Sequence, residues 1–82
     1  METTIYLNSE LDFAVLRKKG GDEVWQVFAY YNYALDALSI AAGLCKADGS
    51  EMVLAERGSS PILIRQGQIV DYNWREWGVV WE

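Results

Sequence analysis

The sequence predicts an α+β fold: an antiparallel sheet of four or five strands with a single helix packed on one face, in ββαβββ order. Three observations carry this. Only one stretch, Tyr33 to Lys46 (YALDALSIAAGLCK), has the apolar spacing of a helix. The segments around it are short, rich in Val, Ile, Trp and Tyr, and bounded by Gly, Asn, Asp, Ser or Pro. Two of the junctions, Gly20-Gly21-Asp22 and Gln66-Gly67, carry the glycine chemistry of tight hairpins.

In chain order, Thr3 to Leu7 is a short first strand or an arm, interrupted by the turn-like Asn8-Ser9-Glu10. Asp12 to Lys19 and Glu23 to Tyr31 read as two strands of a hairpin. The second offers two faces, because side chains alternate along a strand. Trp25, Val27, Ala29 and Tyr31 are placed against the helix, since Gln26 breaks the other set of Val24, Phe28 and Tyr30. That other face is nevertheless apolar, so a covering by the C-terminal segment or by a partner is expected.

The helix follows. Asn32 is the expected cap, Asp36 and Lys46 oppose the macrodipole with the favourable sign, and Gly49 is the left-handed residue that closes it. At about 100° per residue, Asp36, Ser39, Gly43 and Lys46 share one narrow polar stripe. Ala34, Ala37, Ala41 and Cys45 form a small-residue centre on the opposite side, with Ile40, Leu44, Leu35 and Leu38 as its shoulders. Such a helix approaches a sheet closely, and its apolar arc is wider than one sheet covers.

Glu51 to Arg57 is the next strand, and Gly58-Ser59-Ser60-Pro61 is a loop. Ile62 to Arg65 and Gln68 to Tyr72 pair across Gln66-Gly67. In the tail, NWREWGVVWE, Trp74 and Trp77 are spaced as in one helical turn, and Gly78 to Trp81 is a final short strand. Residues 1–82 are read as one domain, with no linker, repeat or low-complexity stretch.

Composition excludes several classes of function. The chain is 51% hydrophobic and 23% charged, outside the disordered regime. Twelve acidic against seven basic residues give a formal charge of -5, a sign that opposes nucleic acid and anionic membrane and favours a basic protein surface. One cysteine allows no internal disulfide, and no leader or membrane span is read, so a cytoplasmic location is expected. The sequence has no histidine, which removes the commonest general base and metal ligand. Cys45, on the apolar arc of the helix, is expected to act as a small hydrophobe. The carboxylates Asp22, Glu23, Asp48 and Glu51 lie at turns and are expected to be solvated. Arg17-Lys18-Lys19 is expected to guard a strand edge. No metal, cofactor or catalytic set is therefore expected.

The partner-binding candidate is the tail: Asp71, Tyr72, Trp74, Arg75, Glu76 and Trp77 combine large aromatics with charges of both signs, the composition of an interface hot spot. A covering role for the tryptophans is the alternative. A small acidic chain of this profile resembles, in type, phage or mobile-element inhibitors of host defence such as anti-CRISPR proteins. The expected function is a non-enzymatic protein-binding domain that occludes a partner surface, with homodimerisation possible through the wide apolar helix. The alternative is a nucleic-acid or small-ligand module stacking on Phe28 and Tyr30.

Overall fold

The computed structural model of the chain describes residues 3–21 and 23–82. Eight elements follow one another: β1 (Thr4–Leu7), β2 (Phe13–Lys18), β3 (Gln26–Tyr31), α1 (Ala34–Asp48), β4 (Glu51–Glu56), β5 (Ile62–Arg65), β6 (Gln68–Asp71) and β7 (Gly78–Trp81). Five of the strands make one antiparallel sheet in the order β3-β2-β4-β5-β6. The helix lies on one face of that sheet, across β4, with β2 and β5 on its flanks. This is the α+β arrangement with ββαβββ order.

The two ends of the chain make a second, smaller sheet. β1 and β7 pair in parallel, Thr4 opposite Gly78 through Leu7 opposite Trp81. This ribbon lies on the face of the large sheet away from the helix, so the molecule has two cores. On the helix side, Ala37, Ala41 and Cys45 meet Val15, Met52, Leu54 and Ile64. On the ribbon side, Ile5, Leu7 and Trp74 meet Ala14, Leu16, Trp25, Val53, Ala55 and Leu63. β4 thus has apolar residues on both faces, as a strand covered on both sides requires. The far face is covered by the C-terminal segment, jointly with β1.

Small side chains let α1 sit close to the sheet: Ala37, Ala41 and Cys45 are fully or almost fully buried, and the Cys45 thiol donates to the Ile64 carbonyl at 3.4 Å. The polar stripe of Asp36, Ser39, Gly43 and Lys46 is exposed, as the wheel requires. Gly49, at φ 74°, closes the helix with its N–H on the Cys45 carbonyl. The start differs from the sequence expectation. β3 extends through Tyr31, so Asn32 lies in the turn and Tyr33 becomes the capping position, with no side-chain cap bond. The shoulders are covered in part: Leu38 and Leu44 pack against the helix-side core, whereas Leu35 is 73% exposed and Ile40 is also open.

The facing of β3 also needs correction. Pairing with β2 runs Phe13–Tyr31, Ala14–Tyr30, Val15–Ala29, then Leu16–Val27 and Arg17–Gln26, leaving Phe28 unpaired as a bulge. One extra residue inverts the side-chain phase beyond it. Ala29 and Tyr31 stay on the helix side, while Val27 and Trp25 turn to the ribbon side, opposite to their expected placement. β3 also starts at Gln26 rather than Glu23, because Trp25 leaves the sheet margin to enter the second core. Asp22, the third residue of the expected hairpin, lies outside the described residues.

Candidate functional site

The tail crosses the ribbon-side face on its way from β6 to β7. Asp71 accepts the Asn73 N–H at 2.9 Å, turning the chain out of β6. The Trp74 N–H then donates to the Pro61 carbonyl at 2.9 Å, tying this crossing segment to the β4–β5 loop. Trp74 points inward, 3% exposed, and meets Trp25 edge to face with ring centroids 5.1 Å apart. Trp74 is therefore core and is not a surface anchor. Beyond it, Glu76 approaches Lys18 at 3.9 Å, and Trp77 is half-buried against the same core.

Between this crossing segment and β7 runs a groove of about 590 Å³. It is lined by the crossing segment from Asn73 to Glu76, by Gly78, Val79 and Trp81 of β7, and by the loop from Gly58 to Pro61. Four of the expected site residues, Trp74, Arg75, Glu76 and Trp77, line it together. Asp71 and Tyr72 do not; Tyr72 stands apart from the groove, 70% exposed. Ser59, Ser60, Pro61, Val79 and Trp81 were missed as site residues. The turn chemistry of Gly58 to Pro61 is visible in the sequence, but no local signal places that loop beside the tail.

The Trp81 end of the groove is held rigidly. The Arg57 guanidinium lies 4.4 Å from the Trp81 ring centroid. It also donates to the Asp12 carboxylate at 3.1 Å and to the Ser9 and Leu11 carbonyls at 2.6 and 3.2 Å. Tyr30 also packs edge to face with Trp81, at 6.5 Å, and its hydroxyl accepts the Asn8 N–H. Within the groove, Arg75 donates to Asn73 at 3.2 Å and forms no ion pair among the described residues.

The remaining candidates are dispersed. Phe28, 43% exposed on its bulge, sits near Arg17, with the guanidinium 5.9 Å from the ring centroid, whereas Tyr30 belongs to the ribbon-side core. The bulge separates them, so they do not form one stacking face. β2 is an inner strand, and its cations are engaged rather than guarding an edge: Arg17 pairs with Asp48, and Lys18 with Glu51 at 3.4 Å. Asp48 and Glu51 are accordingly ion-paired rather than simply solvated. Hydrogen bonds from Arg65, aided by the charges of Lys18 and Arg65, hold the Glu51 carboxyl below its ordinary range against the opposing effect of burial.

Among the described residues no group of three or more acidic or cysteine side chains could hold a metal, and no helix is long and apolar enough to cross a membrane. Comparison of the chain with protein-family models, with curated proteins and with solved structures returned no match.

Proposed function

We propose that this chain is a non-enzymatic protein-binding domain that occludes a surface of its partner through the groove between the crossing segment and β7. The observation that carries this reading is the placement of Arg75, Glu76 and Trp77 along one open groove with the Trp81 flank, on a scaffold anchored by Trp74 and Arg57. Half-buried tryptophans with exposed polar neighbours suit an interface centre and its rim. A binding role is further supported by the lack of histidine in the sequence, by the burial of Cys45, and by ion pairs that keep Glu51 charged.

Glu10, Glu23, Asp36 and Glu82 form no ion pairs among the described residues, and they add to the net charge of -5. That field favours a basic, cytoplasmic partner and speeds the encounter with it. Inhibition by occlusion, in the manner of the phage inhibitors whose profile the sequence resembles, is the form this reading takes. Affinity capture from host lysate tests it with Trp77→Ala beside the wild type. Loss of the captured partner from a variant that still melts cooperatively supports the reading, and undiminished capture sinks it.

A further inference from the structure

We propose that the groove receives an extended strand of the partner, which adds to the free edge of β7; this rests on the binding reading above and specifies what is bound. In a parallel pair, bonding groups alternate along each strand between the partner and the outside. The Gly78 N–H donates to the Thr3 carbonyl and the Glu82 N–H to the Leu7 carbonyl, both at 2.8 Å. The amides of Val79 and Trp81 therefore face away from β1, on the groove side, and β7 has no second neighbour in its sheet among the described residues.

The other sheet margins suit strand addition less well. β3 and β6, the outer strands of the large sheet, are each bulged, at Phe28 and at Val70, and a bulge interrupts the regular row of bonding groups. The register of β7 is unbroken from Gly78 to Trp81. No β1 residue lines the groove, so the β1 margin lacks the aromatic wall. An added strand also completes the cover of the second core, because Trp77, Val79 and Trp81 are only half-buried where the ribbon stops at two strands.

The same geometry defines the occupant. The crossing segment Asn73 to Glu76 lines the same groove as β7, which leaves room for a single strand and not for a sheet edge with its own neighbour. The β7 edge of a second copy brings its own Asn73 to Glu76 segment with it and is not a single strand of this kind. The occupant is a chain end or loop in extended form, apolar at alternate positions that meet Trp77, Val79 and Trp81, and polar between them.

Displayed random peptides of about ten residues, selected against the full folded chain, supply the probe. The strongest binder is synthesised in plain form and with N-methyl groups on each alternate set of residues. Hydrogen exchange at the Val79 and Trp81 amides slows at least about tenfold on saturation with the plain peptide. Methylating one alternate set weakens binding by about tenfold or more, while methylating the other set has little effect. A peptide displaced by Trp77→Ala, or by Arg75→Ala if the first variant does not fold, that leaves both amides unprotected overturns strand addition and leaves the binding reading intact. Protection at Thr4 and Tyr6 instead overturns it as well, and so does a selection that yields no groove binder.

Discussion

Trp25 and Trp74 meet edge to face with centroids 5.1 Å apart, each 3% exposed, and neither indole N–H has a hydrogen-bond partner among the described residues. A residue just before β3 and one from the tail thus close the second core together. Each unpartnered N–H costs about 1–3 kcal/mol, which the burial of two large rings has to exceed.

Trp74→Ala is therefore expected to cost about 3–5 kcal/mol, measured by denaturant unfolding, because it leaves a cavity beside Trp25. Trp77→Ala, at the half-buried groove wall, is expected to cost about 1 kcal/mol. Equal losses at the two positions would place Trp77 in the core and remove it as a contact residue.

Deleting Phe28 tests the bulge. The deletion leaves the existing partners Leu16–Val27 and Arg17–Gln26 in continuous pairing with β2, so Trp25 and Val27 keep the ribbon side. The deletion variant is expected to unfold cooperatively with Trp25 still shielded by fluorescence, and a solvent-exposed Trp25 would overturn this register. Phe28→Ala keeps the bulge and loses about 1 kcal/mol or less, since the ring is largely outside both cores.

Helix packing makes the third prediction. Ala41→Leu, at a fully buried position facing the sheet, is expected to overpack the contact and cost about 1–3 kcal/mol. Ser39→Leu, on the exposed stripe, is expected to stay within about 0.5 kcal/mol of wild type. Thermal melts of the two variants read the difference directly.

Glu51 gives a pH dependence. Its folded pKa is lowered, first by hydrogen bonds from Arg65, so its contribution is fully present above the unfolded value of about 4.3 and is lost as pH falls through the folded one. Melting temperature should fall across that acid range. Glu51→Gln should lower the neutral-pH melt by a few tenths to about 1 kcal/mol, a figure limited by solvent screening, and flatten the acid limb. A wild-type acid limb that Glu51→Gln leaves unchanged would assign the dependence to other carboxylates.

The sequence by itself determined what depends on near neighbours. The small-residue arc of Ala37, Ala41 and Cys45, the closing Gly49 and the turn at Gln66-Gly67 are local patterns. The last adopts positive φ at both residues, 54° and 78°, as a tight hairpin demands. The tail was visible as an aromatic and charged segment, and four of its residues do line the groove. Tertiary structure decided the rest. The parallel pairing of β1 with β7 joins opposite ends of the chain, and no turn residue announces such a contact. The phase of Trp25 and Val27 depends on one unpaired residue, Phe28, since a period of two carries no memory across an insertion. Whether a tryptophan is core or groove depends on which surface it meets. Trp74 found Trp25 beneath it, while Trp77 and Trp81 stand where a two-stranded ribbon ends.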